Sequence, residues 1–338
     1  MKPRVACFEG PDGARIYQLP LRAFPHLVVH AYVVLAHGYA ALIDVGSGSP
    51  ESNADLEAGL AALRDTWGEA IGWADLDRIV ITHGHIDHCG GLGFVHSRCD
   101  APVAAHTFDL AAVRDHGAYL AAQIPAQAAF LRWAGVEPAR VAELARAYST
   151  LLEPLPGSEV TTVLSGGEVL DGRFAVIHTP GHCAGQICLR FGEVLFCADQ
   201  LLAVTSPRLT PALLEPHNGL AAYLAALDHV AALPGIRLGL AGHEAPITDV
   251  YGRAAALREG HLSRLDQILE LCAEPRTIVE LAAAIYAELA NPPPPLITAQ
   301  AIAARVEYLQ SLGALEAVGS TEAPRFRRTS LVWTRSIL

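Results

Sequence analysis

An α/β domain followed by a helical module is the fold class predicted by the 338-residue sequence, on three observations. Short apolar runs separated by turn residues fill positions 16 to 45 and return between 159 and 242, the pattern of strands. Segments rich in Ala, Leu and Glu with helical spacing are interleaved with them. From about residue 253 the patterning becomes continuous helix, interrupted by the stiff run NPPPPL at 291–296.

Taken in order, RIYQLPL (15–21), HLVVHAYVVLA (26–36) and AALIDVG (40–46) read as paired strands joined by tight turns. The segment 49–70 reads as a helix that Ser49 or Asn53 can cap, and DRIVIT (77–82) as a buried strand. Residues 107–152 have helical periodicity broken near Pro125 and Pro138, which predicts an inserted group of helices. EVTTVL, FAVIHT, QICLRFGEVLFCA and IRLGLAG return to strand character, with FGE as a hairpin turn. The helix GLAAYLAALDHVAAL, capped by Asn218, separates the last two. Past residue 253 the order helix, helix, helix, hairpin suggests a small winged-helix module. The expected division is a catalytic domain at 1–252, with its insert at about 107–152, and a C-terminal domain at 253–338.

Composition narrows the function classes. Hydrophobic residues make up 51% of the chain, yet no stretch reaches the roughly 18–20 uninterrupted apolar residues a membrane span needs, so no membrane partner is expected. The first twenty residues have no apolar core followed by a small-residue cleavage site, which makes the cytoplasm the expected location. A formal net charge of -11 argues against a broad phosphate-binding surface. The seven cysteines include no CxxC pair, so neither a disulfide scaffold nor a zinc knuckle is expected.

The chemistry concentrates in ITHGHIDHCGG (81–91), where His83, His85, Asp87 and His88 stand within six positions. Neutral imidazole nitrogens and carboxylate oxygens are the ligands of zinc and similar ions, and four in six residues have no packing rationale. A loop leaving a strand can send His83 and His85 to one metal position and Asp87 and His88 to a second. Gly84, Gly90 and Gly91 allow the tight path. Two ions need more ligands, and three residues at strand ends offer them: His182 in HTPGHCAGQ, Asp199 in VLFCADQ and His243 in LGLAGHEAP.

This constellation resembles the metallo-β-lactamase superfamily. His83, His85, Asp87 and His88 match its motif, His182, Asp199 and His243 its later ligands in order, and LIDVGSG its Asp-x-Gly strand end, which gives Asp44 a supporting role. The resemblance covers roughly residues 16 to 250. It implies a four-layer αββα sandwich with a dinuclear site along one sheet edge. By it, His83, His85 and His182 hold the first metal, Asp87, His88 and His243 the second, and Asp199 bridges them. The two divalent ions are expected to be zinc, with iron or manganese as alternatives. The aspartate at 199, where the best-known zinc lactamases have cysteine, implies instead the hydrolase branches that act on thioesters, lactones, hydroxyacylglutathione or nucleic acid. The helical tail resembles a branch that includes an endoribonuclease.

The expected enzyme is a metal-dependent hydrolase in which a hydroxide bridging the metals is the nucleophile and Asp87 orients it and takes its proton. Its expected partner is a small-molecule ester, thioester or lactone. The alternative is a single-stranded RNA endonuclease, disfavoured because Arg276, Arg305, Arg325, Arg327, Arg328 and Arg335 are nearly balanced by glutamates in the same segment. The tail is also a candidate homodimer contact. Cys89, Cys183 and Cys197 read as small buried residues. His106, His116, His178, His217 and His261 read as surface or hydrogen-bonded structural residues. Tyr119, Phe130 and Trp133 of the insert line a lid or pack on the body, packing being the expectation for each taken singly.

Overall fold

The computed structural model describes residues 4–150, 156–287 and 293–335, and side chains at 147–150 are left aside. A first sheet takes its strands in sequence order: β1 (Ala6–Glu9), β2 (Arg15–Phe24), β3 (Leu27–Ala36), β4 (Tyr39–Ile43), β5 (Arg78–Val80), β6 (Val103–His106) and β7 (Thr162–Leu164). Pairing is antiparallel from β1 to β4 and parallel from β4 to β7. Crossovers between the parallel strands carry α1 (Pro50–Asp65), α2 (Ile86–Cys89) and α3 (Leu92–His96), then an insert of α4 (Leu110–Arg114), α5 (His116–Trp133) and α6 (Pro138–Thr150). The second sheet joins β8 (Val169–Leu170), β9 (Phe174–His178), β10 (Ile187–Phe191) and β11 (Val194–Ala198) to β12 (Leu238–Ala241), with α7 (Leu220–Ala231) before β12. The chain continues as α8 (Val250–Leu271), α9 (Ile278–Tyr286), α10 (Pro295–Ser311) and the hairpin β13 (Leu315–Val318) to β14 (Arg325–Arg328).

Period-two alternation makes the sandwich. On β3, Val29, Ala31 and Val33 face the layer of Leu56, Leu60 and Leu63 on α1, while Tyr32 and Val34 face the second sheet. On β11, Val194 and Phe196 meet them from the opposite sheet, and Leu195 and Cys197 face outward under Leu224 and Leu227 of α7. Both sheets are therefore buried on two sides, the αββα order. Tyr17, Phe174 and Phe196 are fully buried, each contributing about 1.5–3 kcal/mol of burial free energy. The outer core continues from α7 through Leu265 of α8 and Ile302 of α10 to Phe326 of the hairpin.

The structure decides between two pairs of alternatives and corrects two expectations. Ser49, not Asn53, caps α1 by accepting from the Ser52 N–H. Pro125 does not break α5, which runs through it; Pro125 and Ala121, the residue whose carbonyl loses its helical partner, are exposed, so water serves that carbonyl. Asn218 does not cap α7: Gly219 holds the cap position and the Asn218 amide donates to Glu215. His106, His116 and His261 take the structural and not the surface alternative: all three are buried, with His106 accepting the Phe108 N–H at 3.3 Å and His261 Nε2 3.3 Å from Ser206 Oγ. In the insert, Phe130 lies in the outer core, and the Trp133 ring stands edge-on to Phe326 at 5.7 Å, so both pack on the body and the C-terminal hairpin. Leu151 and Leu152 of the expected insert, and Asn291 and Pro292 of the proline run, lie outside the described residues.

Candidate metal centre

The chain leaves β5 as Thr82-His83-Gly84-His85 and turns into α2, so the first ligand block sits in the strand-to-helix turn. That turn packs closely on the loop after β4. A Cβ at Gly90 would stand 2.3 Å from the Ser47 carbonyl oxygen and one at Gly91 2.2 Å from that of Val45, so no larger residue fits. From the second sheet, His182 follows β9, Asp199 follows β11 and His243 follows β12. Asp199 is turned out of its strand by Ala198, which has a left-handed φ of 44° at a register shift in the β11–β12 ladder.

All seven sequence-predicted residues converge. Their ligand atoms form three groups, His83 with His85 and His182, His83 with His88 and Asp199, and Asp87 with His88 and His243, each within 4.8 Å. Asp199 lies between: Oδ2 is 3.4 Å from His182 Nε2 and 3.5 Å from His243 Nε2, and Oδ1 is 3.5 Å from His88 Nε2. Asp87 Oδ2 is 3.3 Å from His243 Nε2 and 3.8 Å from His88 Nε2.

Hydrogen bonds behind the rings fix which nitrogen faces inward. His182 Nδ1–H donates to the Arg208 carbonyl at 2.6 Å, His243 Nδ1–H to that of Val28 at 2.6 Å, and His88 Nδ1–H to Asp44 Oδ2 at 2.8 Å. Thr82 gives its hydroxyl proton to Asp44, at 2.7 Å, so its oxygen accepts from His83 Nδ1 at 3.2 Å. With Nδ1–H committed outward, each of these rings presents Nε2 to the centre, where that of His83 meets His85 Nδ1 at 3.0 Å. His88 Nε2, His182 Nε2 and Asp199 Oδ1 are buried and, among the described residues, have no hydrogen-bond partner. Such orphaned acceptors are costly unless a cation satisfies them, and this donor set of imidazole and carboxylate fits a divalent ion.

The electrostatics agree. Burial, with neighbouring histidines, drives His83 well below the usual imidazole range, and burial with His182 and Arg208 does so for His85. Burial opposes charge on His88 too, but Asp199, Asp87 and Asp44 outweigh it and push His88 up to about 9. At His243, hydrogen bonds to Asp199 and Asp87 likewise outweigh burial and raise it to about 11. Burial works against ionised Asp87 and Asp199, yet the facing histidines hold both well below the ordinary carboxylate range. The centre is thus a trap for positive charge.

Two contributors were not foreseen. Asp109, just past β6, is buried and accepts the Gly84 N–H at 2.7 Å and the Gly185 N–H at 3.1 Å, stitching the His83–His88 turn to the His182 loop. Burial pushes its carboxyl up to about 6. Its partners are two backbone N–H groups, which leave no trace in a sequence, and the Cys183 thiol, whose Sγ lies 3.4 Å from Oδ1; only its place just past a strand could have marked it. Arg208, the second, belongs to an irregular stretch with no motif. Asp44, which was foreseen, takes a left-handed φ of 58° and accepts from the Thr82 N–H at 2.8 Å as well as from His88. Cys89, Cys183 and Cys197 are buried free thiols, as expected. His217 stacks on the exposed ring of Phe108 at 4.4 Å, and His106 on His178 at 4.0 Å. Tyr119 donates to Glu215, tying the insert to the irregular stretch.

Comparison with known proteins follows the same lines. The family profile described as the metallo-beta-lactamase superfamily matches residues 25–243. A metallo-beta-lactamase family protein of Thermus thermophilus, TTHA1429, superposes with a TM-score of 0.74 at 27% identity, covering 93% of this chain and 98% of that one. A probable metallo-hydrolase, YflN of Bacillus subtilis, is 26% identical over 70% of this chain and 82% of its own length. A hydroxyacylglutathione hydrolase of Dechloromonas aromatica is 28% identical over 50% of this chain, and an uncharacterized Aquifex aeolicus protein 28% over 45%. The matches span 45% and 54% of those two relatives, about half of each.

Proposed function

The chain belongs to the metallo-β-lactamase superfamily, and from that premise we propose a dinuclear metal-dependent hydrolase acting on a small ester, thioester or lactone. One observation carries the reading: buried Nε2 and carboxylate lone pairs of His88, His182 and Asp199, from three separate loops, converge with no hydrogen-bond partner among the described residues. In this reading His83, His85 and His182 hold one divalent ion, Asp87, His88 and His243 a second, and Asp199 both, with zinc expected and iron or manganese as alternatives. Bound there, the ions supply Lewis acidity toward a substrate carbonyl and make water a competent nucleophile near neutral pH. Asp87, at the edge of the cluster, orients the attacking water through its carboxylate and accepts the proton. Asp44 and the carbonyls of Arg208 and Val28 keep the imidazoles from rotating, and Asp109 keeps the two ligand loops in register. The hydroxyacylglutathione hydrolase among the relatives supports the ester and thioester class.

The C-terminal helices and hairpin, read as a winged-helix-like module at 253–338, serve this enzyme as architecture and not as a nucleic-acid reader. Arg325 pairs with Glu280 at 2.8 Å, Arg327 with Glu316 at 2.6 Å and Arg335 with Asp266 at 2.6 Å, while Arg305 is buried. Arginines neutralised in this way offer little to a phosphate backbone. No helix among the described residues is long and apolar enough to cross a membrane.

The test is metal analysis of the purified protein, followed by a panel of thioesters, lactones, phosphodiesters and single-stranded RNA with and without chelator. Hydrolysis of a thioester or lactone that chelation abolishes and added metal restores is the expected result. Activity confined to RNA would transfer the assignment to the endonuclease alternative.

A further inference from the structure

The stretch between β11 and α7, residues 199–219, has no regular secondary structure, and the C-terminal helices hold it in place. Arg253 of α8 donates to the carbonyls of Leu202 and Thr205, at 2.5 Å each, and of Val204 at 3.0 Å. Glu307 of α10 accepts the N–H groups of Ala212 and Leu213 at 2.9 and 2.8 Å. Between those two clamps lies Arg208. Its carbonyl anchors His182, so the residue sits against the ligand cluster.

The side chain of Arg208 is not accounted for by the fold. Its Nε is buried and, among the described residues, has no hydrogen-bond partner. A guanidinium stays charged at every accessible pH, and a buried donor left unpaired is costly. Metal loading does not relieve it: two divalent ions against the carboxylates of Asp87 and Asp199 leave excess positive charge beside another cation. A ligand carboxylate would supply the acceptor that Nε lacks and a counter-charge together.

We propose that Arg208 anchors the substrate, and that the substrate is anionic: an acyl ester or thioester carrying a carboxylate on the same acyl chain as the scissile carbonyl. This rests on the hydrolase reading above and narrows it. The planar fork of the guanidinium matches a carboxylate in two parallel hydrogen bonds, which also turns the acyl chain in one sense relative to the metal ligands. Truncating the side chain leaves the Arg208 carbonyl, and hence the His182 contact, in a loop still clamped by Arg253 and Glu307.

The metal-loaded wild type, Arg208→Gln and Arg208→Lys are compared on two thioesters of equal acyl length, S-succinyl- and S-butyryl-N-acetylcysteamine. Arg208→Gln is expected to raise KM for the succinyl compound about 10- to 100-fold, the scale of a charge-assisted hydrogen bond. Its kcat, the butyryl kinetics and the metal content should stay within about twofold of wild type, and Arg208→Lys should recover part of the loss, because the charge returns without the fork. Calorimetry with the unreactive thioethers S-(3-carboxypropyl)- and S-butyl-N-acetylcysteamine reads the same preference without turnover. Equal effects on both acyl groups, or a fall in bound metal, would overturn the proposal in favour of a structural role. If wild type hydrolyses neither thioester, the thioester reading fails, while the calorimetric preference still decides the fate of Arg208.

Discussion

The two sheets furnish the candidate metal centre in unlike ways. After β5 the first sheet delivers His83, His85, Asp87 and His88 from one turn, and backs His88 with a side-chain carboxylate, Asp44. The second sheet delivers His182, Asp199 and His243 from three separate strand ends, and its two histidines lean on backbone carbonyls. A contiguous turn assembles its ligands by local geometry. Dispersed ligands depend on register between sheets, which the His30 N–H to Gly242 carbonyl bond at 2.7 Å and the Asp109 stitch enforce. The lesson is that the first half is sensitive to side-chain substitution behind the ligands, whereas the second is protected there, since no substitution removes a carbonyl.

The comparison can be broken most sharply at its carboxylates. Asp87→Ala should lower kcat on the order of 10³-fold, the scale of a lost proton acceptor, and weaken only the ion it shares with His88 and His243, with the fold kept. Asp199→Ala should match that loss and weaken both ions, because its oxygens face histidines from both sheets. Plasma emission analysis alongside kinetics separates the two variants; two ions per chain retained in Asp199→Ala would show that the second sheet's carboxylate is dispensable.

A smaller effect is expected behind His88. Asn tolerates the left-handed backbone that Asp44 occupies, so Asp44→Asn changes the charge without straining the turn. Metal affinity should fall about 10- to 100-fold, the usual scale for such supporting groups. Competition with a chromophoric chelator measures it, and an unchanged affinity would mean that the side-chain support of the first sheet matters no more than the carbonyls of the second.

The smallest effect contrasts a buried histidine away from the centre. His261, facing Arg305 and Arg264 instead of carboxylates, is driven by burial and by those cations down to about 2. Below pH ~6.5 the unfolded chain binds a proton there that the native state refuses, so stability falls as pH drops below that value. His261→Gln should flatten the fall of the urea midpoint measured at several pH values below neutrality. An unaltered slope would show that His261 does not stay neutral in the native state.

Much of the centre is legible in the sequence for a specific reason. His83, His85, Asp87 and His88 crowd a turn where packing has no use for them, and His182, Asp199 and His243 each follow an apolar strand, the place where a sheet exposes side chains at its edge. Asp109 and Arg208 escape that reading. One acts on backbone N–H groups and the other through its carbonyl, groups that every residue type carries. Pro125 and Asn218 were misjudged because a local preference was weighed without its surroundings: water reaches the freed carbonyl of Ala121, and Glu215 competes for the Asn218 amide. For His106, His116 and His261 the choice between a surface and a hydrogen-bonded structural role was made by what folds over them.

By itself the sequence determined the alternation of strands and helices, the glycine-lined turn and the identity of all seven candidate ligands, because each depends on side-chain type and short-range spacing. Tertiary structure alone decided which nitrogen of each ring faces inward, how Asp109 joins two loops, and that a cation at 208 is left beside the cluster without an anion. Those are matters of distance between residues remote along the chain, and only the closed sandwich brings them within hydrogen-bonding range.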